Sequence, residues 1–102
     1  MSALLAPVHQ PPAVADAVML WAITKGTRDA LFTDYSRKLD QHSRMGRRHQ
    51  PVAVTRALSQ YDAAERRLLQ REDALLAALR EANPHLSEVE LLAARTELMA
   101  QA

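Results

Sequence analysis

Apolar side chains recur at helical spacing over three long stretches of this chain, and this periodicity restricts the fold more than any other feature of the sequence. Recurrence at i, i+3, i+4 and i+7 gives a helix one apolar side that it can bury against a neighbour. The first stripe comprises Val14, Ala17, Val18, Trp21, Phe32, Tyr35 and Leu39. The second comprises Leu58, Tyr61, Leu68, Leu75, Leu76 and Leu79, and the third comprises Val89, Leu92, Thr96 and Met99. The pattern predicts an all-α chain.

The predicted helices cover about residues 13–44, 51–82 and 87–100. The clearest start is that of the third helix, where Ser87 and Glu90 have the spacing of a capping box. The weakest point is Gly26 in the first helix, because glycine disfavours a helix interior. We therefore expect that helix either to run on through Gly26 or to break there and restart at Thr27.

Chain length and turn signals set the predicted organisation. A chain of 102 residues forms one domain. We expect an extended, flexible, Pro-rich tail over residues 1–12 and a single helical domain over residues 13–102. The first two helices are joined by a short connection, so they should form a long antiparallel hairpin, followed by the shorter C-terminal helix. Only four residues are aromatic, and a core this thin favours a dimeric bundle.

Charged residues inside the apolar stripes predict contacts between the two long helices. If the turn lies near Arg48, Phe32 faces Glu65 and Arg28 faces Leu69. The same register places Leu39 near Leu58, Lys25 near Glu72 and Trp21 near Leu76. We predict a network of inter-helix ion pairs among Lys25, Arg28, Glu65 and Glu72. The alternative is that these side chains extend from a half-buried stripe to water.

The first helix is apolar on nearly all sides around residues 17–24, so it needs more than one neighbour. Either the third helix or a second copy of the chain covers it. The candidate partner-binding residues are Val18, Leu20, Trp21, Ile23, Leu76, Leu79, Leu92 and Met99.

Cations are concentrated in the segment that joins the first two helices, although the net charge of the chain is only +1. We call residues 37–49 the basic tip; its candidate binding residues are Arg37, Lys38, Arg44, Arg47 and Arg48. Such a cluster is a solvated surface, a contact for an acidic protein surface or a site for nucleic-acid phosphate.

Residues that would indicate catalysis or a cofactor are missing from the sequence pattern. The chain has no cysteine, and neither glycine lies in a phosphate-binding loop. His42, Met45 and His49 have a spacing that could hold a metal, but Gly46 breaks the helix and the neighbouring cations repel a metal ion. We predict neither a metal nor a cofactor, and no enzymatic activity.

The longest strongly apolar run, residues 17–23, is far shorter than a membrane span, and the N-terminus does not have the pattern of a signal peptide. We expect cytoplasmic residence and no membrane partner.

These features favour a small non-enzymatic interaction module, an adaptor, accessory factor or chaperone-like protein that works by helix packing. Its partner would be itself as a homodimer, a helical protein, or both. In general build the chain is similar to the small cysteine-free helical proteins that accompany bacterial secretion or assembly systems. The alternative is a small helical dimer, with a regulatory role or one in nucleic-acid binding, that uses the basic tip.

Overall fold

The computed structural model describes residues 8–45 and 52–102, and over these residues it is all-helical. Helix α1 spans Pro12–Met45, α2 spans Val52–Ala82 and α3 spans Glu88–Gln101. The two long helices pack against each other and α3 is shorter, as the apolar periodicity predicts.

Helix α1 runs through Gly26 without interruption. A Cβ atom placed on Gly26 would meet nothing within 4 Å, so no neighbouring side chain requires glycine there. The predicted alternative of a restart at Thr27 is therefore wrong. Contacts along the rest of α1 outweigh the intrinsic cost of one glycine in a helix.

Between Ala57 and Leu75, the buried side of α2 repeats every seven residues. Ala57 and Ala64 are buried at one position of this repeat, and Leu68 and Leu75 are buried at another. This is the spacing of a coiled-coil seam, in which two residues per seven face the neighbouring helix. Two of these four seam residues are alanines. The second predicted stripe consisted of leucines and one tyrosine, and it did not include these alanines. Leu58, which that stripe did include, is exposed.

The contacts of the chain divide into two compact units. Unit 1 comprises Met1–Ile23 and Leu69–Ala102, and unit 2 comprises Thr24–Leu68. Unit 1 holds the main apolar core, a cluster of buried side chains from all three helices: Val14, Leu75, Leu79, Leu91 and Ala94.

Within unit 1, α3 turns a different side to the core from the one predicted. Leu91 and Ala94 are buried, whereas Val89 is 77% exposed and Leu92 is 39% exposed. Thr96 is also exposed, and of the predicted stripe Met99 packs against the core. The start of α3 is as predicted: Oγ of Ser87 accepts a hydrogen bond from N of Glu90 at 3.2 Å, and the Glu90 carboxylate accepts one from N of Ser87 at 3.1 Å.

The predicted tail extends too far along the chain. Val8 packs against the core of unit 1, and the main chain of His9 is hydrogen-bonded to Asn83 at the end of α2. Residues 8–11 therefore belong to the folded unit. The remainder of the predicted tail, residues 1–7, lies outside the described residues.

In unit 2, the segments of α1 and α2 run antiparallel, because Arg28 pairs with Glu65 and Phe32, further along α1, contacts Tyr61, earlier in α2. The predicted register placed Phe32 opposite Glu65, so it is wrong by four residues, one turn of helix. That register assumed a turn near Arg48, which lies outside the described residues. Phe32 and Leu39, assigned to the buried stripe of α1, are also exposed.

Candidate interaction surfaces

The two units carry opposite charge. Unit 2 contains ten Lys and Arg residues against five Asp and Glu residues, a net charge of +5. Unit 1 contains three against seven, a net charge of −4. The net charge of +1 for the whole chain is therefore the sum of a cationic unit and an anionic unit.

Arg28 is the centre of the ion pairs in unit 2. Its Nη1 donates to Oε1 of Glu65 at 2.7 Å, and its Nε donates to Oδ1 of Asp29 at 2.7 Å. Nζ of Lys25 completes the group by donating to Oδ2 of Asp29 at 2.9 Å. The group spans two helices and contains two cations and two anions, so its charges balance.

The predicted network is thus present only in part. Arg28 and Glu65 pair as expected, but Lys25 pairs with Asp29 of its own helix rather than with Glu72. The contact seen at Glu72 involves its main chain, whose carbonyl oxygen accepts a hydrogen bond from Nη1 of Arg95 at 3.4 Å. Asp29 was not predicted because it lies outside the apolar stripe of the first helix.

Electrostatics in this group favour the charged forms. The hydrogen bond from Arg28 and then that from Tyr61 lower the pKa of Glu65. The hydrogen bond from Lys25 is the largest cause that lowers the pKa of Asp29. The hydrogen bond between Arg28 and Glu65 is the largest cause that raises the pKa of Arg28. The hydrogen bond between Tyr61 and Glu65 is the largest cause that raises the pKa of Tyr61. The group is therefore an ion-pair network in which each partner favours the charged form of the other.

Three of the four aromatic residues lie together beside this group. The ring centroids of Phe32 and Tyr61 are 5.3 Å apart, and Tyr35 stacks on Tyr61 at 6.4 Å with an interplanar angle of 10°. Phe32 is exposed although its ring contacts Tyr61. The cationic unit 2 therefore also carries an aromatic cluster with one exposed ring, that of Phe32.

The candidate apolar partner residues separate into two groups. Trp21 and Leu79 are buried, and Val18, Leu76 and Met99 are half-buried, the last three packed against the core of unit 1. Leu20, Ile23 and Leu92 are exposed, at 43%, 60% and 39%. Only this second group is accessible to a partner in the single chain. Two neighbours that the candidate set did not include, Met19 and Val89, are exposed as well.

Trp21 contributes to the core by its area rather than by a polar contact. Its indole Nε1 is buried and has no hydrogen-bond partner among the described residues. Since a buried unsatisfied donor costs about 1–3 kcal/mol, the ring is retained for its packing.

The described cations of the basic tip are paired with acids of α1. Arg37 and Lys38 both bind the carboxylate of Asp34, at 2.7 and 3.0 Å, and Arg44 binds Asp40 at 3.2 Å. Lys38 is the largest cause that lowers the pKa of Asp34. Arg47 and Arg48 lie outside the described residues. The tip is therefore less strongly cationic than its sequence indicates over residues 37–45.

A shallow depression of about 460 Å³ lies at the start of α2. It is lined by Val52, Thr55, Arg56, Ser59 and Gln60. These side chains offer one cation and no acid, so they do not form an acid–base pair. Within residues 8–45 and 52–102, no group of three His, Asp or Glu residues is placed to hold a metal ion. No helix in the same residues is long and apolar enough to cross a membrane.

Comparison with known proteins gives no relative: no protein-family model, no curated protein and no solved structure matches the chain.

Proposed function

We propose that this chain is a non-enzymatic helical interaction module that binds by helix packing, and that its partner is a second copy of itself. The observation that carries this proposal is the two-sided character of α3. Leu91 and Ala94 on one side build the core, while Val89 and Leu92 on the other are exposed. A helix that is apolar on two sides is stable in water when both sides have a neighbour.

Charge supports the choice of a second copy. The exposed side of α3 belongs to the unit with a net charge of −4, and unit 2 has a net charge of +5 together with exposed apolar residues such as Phe32 and Leu39. Unit 1 of one copy and unit 2 of another are therefore complementary in charge. Two such contacts related by a two-fold axis close a dimer and leave neither surface open.

A charge-reversal pair tests this proposal. We expect wild-type protein to have a molar mass of twice 11.4 kDa by light scattering. Replacing two acids of unit 1, Asp73 and Glu97, by lysine should give monomers, and so should replacing two cations of unit 2, Arg37 and Arg44, by glutamate. An equimolar mixture of the two reversed proteins should restore the dimer. A wild-type monomer at millimolar concentration, or reversed proteins that still dimerise alone, would contradict the proposal.

The apolar contribution is tested on α3 itself. Replacing Val89 and Leu92 by serine should abolish the dimer, because both contacts lose buried apolar area. Ala100→Ser is the matched control, since Ala100 is exposed on the same helix. It should leave the molar mass unchanged.

The second candidate function is nucleic-acid binding by unit 2. It is favoured by the net charge of +5 and by the exposed ring of Phe32 beside Tyr61, since exposed aromatic rings stack on bases. Fluorescence anisotropy with a labelled single-stranded oligonucleotide tests it. Binding that weakens steeply with salt and is reduced by Phe32→Ala would support it, and no binding at low salt would exclude it.

The setting of this function also stays a proposal. A cytoplasmic accessory or chaperone-like role in a bacterial secretion or assembly system fits the general build of the chain. Its support is the resemblance in size, helical content and lack of cysteine.

A further inference from the structure

The side chain of Asn83 binds the main chain of a segment 74 residues earlier in the sequence. Its Oδ1 accepts a hydrogen bond from N of His9 at 2.7 Å, and its Nδ2 donates to O of His9 at 3.0 Å. Nδ2 also donates to O of Leu79 at 3.1 Å, which fixes the orientation of the amide. Asn83 has no exposed surface, and its two hydrogen bonds to the exposed residue His9 are partly buried.

The two bonds to His9 have the form of a pair within a β-ladder. A carboxamide carries one acceptor and one donor side by side, as a peptide group does. It can therefore pair with both main-chain groups of one extended residue and needs nothing from that residue's side chain. The side chains of His9 and Gln10 are indeed exposed.

The selectivity of the contact lies in the flanking residues. Val8 is half-buried and packs against the core cluster of unit 1. Pro11 is half-buried, and its carbonyl oxygen accepts a hydrogen bond from N of Val14 at 2.9 Å. The features held beside Asn83 are therefore an apolar side chain and the main chain of the next residue, whereas Pro11 bonds to the first turn of α1.

Over residues 8–11, the part of this segment that the structure describes, the contact is small. His9 supplies both hydrogen bonds to Asn83, and the half-buried Val8 supplies the apolar anchor. Such a segment holds its place largely because covalent linkage gives it a high effective concentration. A longer external segment with the same features could add contacts and displace it.

We propose that Asn83 and the apolar surface beside it form a peptide-binding site, and that Val8–Pro11 occupies it as a displaceable internal ligand. The external ligand is an extended segment of a partner protein in which an apolar residue is followed by a residue whose main-chain N–H and C=O pair with Asn83. This site goes beyond the helix packing proposed above and does not depend on it.

The first experiment loosens the internal ligand in the full chain. Val8→Asp removes the apolar anchor, and Gln10→Asp adds the same charge at an exposed position as the matched control. In ¹H–¹⁵N spectra, the side-chain amide signals of Asn83 should shift, and its protons should exchange with solvent faster, in Val8→Asp alone. Asn83 signals that stay unchanged in Val8→Asp would overturn the proposal.

The second experiment adds the ligand from outside, as a synthetic peptide with the sequence of residues 6–13. The peptide should bind Val8→Asp at least tenfold more tightly than wild type, because the competing internal segment has left the site. It should restore the wild-type signals of Asn83. A peptide whose own valine is replaced by aspartate should bind about tenfold more weakly than the parent peptide.

Two results would overturn the proposal here: equal affinity of the peptide for Val8→Asp and wild type, or no binding at millimolar peptide. A third result would replace the proposed occupant, an external partner, by a second copy of this chain. If wild type is a dimer that Val8→Asp converts to a monomer, the segment is exchanged between copies of this chain and no external partner is required. The charge-reversed proteins distinguish this result from the dimer proposed above, because their substitutions leave Val8 and Asn83 intact.

Discussion

Arg28 on α1 donates a hydrogen bond to Glu65 on α2 across 2.7 Å, and this ion pair joins the two helices of unit 2. Among the described residues of unit 2, the buried apolar side chains are few and mostly small: Ala57, Ala64 and Leu68. A pair at this position therefore helps to specify which turn of α1 lies against which turn of α2.

Removing this pair should change how stability depends on pH. The pKa of Glu65 is lower in the folded chain than in the unfolded chain. The charged Glu65 therefore stabilises the fold at pH values above its unfolded pKa, and this stabilisation is lost as the pH falls through its folded pKa. Glu65→Gln should therefore unfold at lower urea than wild type at pH 7. When the pH is lowered from about 5 to 3, the urea midpoint of Glu65→Gln should also fall by less than that of wild type. Circular dichroism at 222 nm measures both midpoints.

The control for this variant is Glu81→Gln, since Glu81 is exposed and no ion pair is seen for it among the described residues. It should keep the wild-type midpoint at pH 7. Equal losses of midpoint on acidification in wild type and Glu65→Gln would show that the pair with Arg28 does not form in solution.

Adjacent leucines of α3 should differ strongly in their effect on stability. Leu91 is buried, and Leu91→Ala should lower the free energy of unfolding by about 2–5 kcal/mol through lost burial and the cavity that it leaves. Leu92 is exposed, and Leu92→Ala should change it by about 0.5 kcal/mol or less in the monomer. Urea unfolding at low protein concentration separates the two. The reverse order would mean that α3 presents its other side to the core.

The capping box should be worth a measurable part of the stability of unit 1. Ser87→Ala removes the acceptor for N of Glu90 and should cost about 1 kcal/mol. Ser59→Ala is the comparison, because Ser59 is exposed inside α2, where alanine is the better helix former. Thermal unfolding should show a lower midpoint for the first variant and an equal or slightly higher one for the second.

Gly26 should be a site for simple stabilisation. Since a Cβ atom there meets nothing within 4 Å and α1 is continuous, Gly26→Ala should raise the free energy of unfolding by about 0.5–1 kcal/mol. Ala30→Gly, at an exposed position of the same helix, should lower it by a similar amount. If Gly26→Ala is destabilising instead, the residue must lie in a close contact, which would point to a partner on that side of α1.

The order and length of the helices follow from the sequence because their signals are local. Proline at the start of α1, Asn83 and Pro84 after α2, and the Ser87 cap all act within one or two turns. The continuity of α1 at Gly26 is decided by contacts along the helix and could not be derived from the glycine alone.

The side that α3 buries could not be chosen from periodicity. Val89, Leu92 and Thr96 have helical spacing, and so do Leu91, Ala94 and Leu98. Two overlapping stripes on one helix are equivalent until a neighbour selects one. The chosen stripe contains an alanine, which scores weakly as an apolar residue but allows close approach. For the same reason, the sequence did not indicate that Ala57 and Ala64 in α2 are buried.

The site at Asn83 was missed for another reason. Asn83 followed by Pro84 has the sequence of a helix stop, which it is, and nothing nearby in sequence indicates its contact with residue 9. A bond between a side chain and a distant main chain leaves no pattern in a single sequence. The one available signal was the valine among the N-terminal prolines.

The use of every hydrogen-bonding group of the Asn83 carboxamide has an evolutionary consequence. Aspartate at position 83 would lack the hydrogen-bond donor, and leucine would lack both the donor and the acceptor. His9, in contrast, contributes only its main chain to these hydrogen bonds, and Gln10 contributes nothing to them. Drift should thus be fast at His9 and Gln10 and slow at Asn83 and Val8. Distant relatives of this chain would be recognised by that paired constraint sooner than by overall identity.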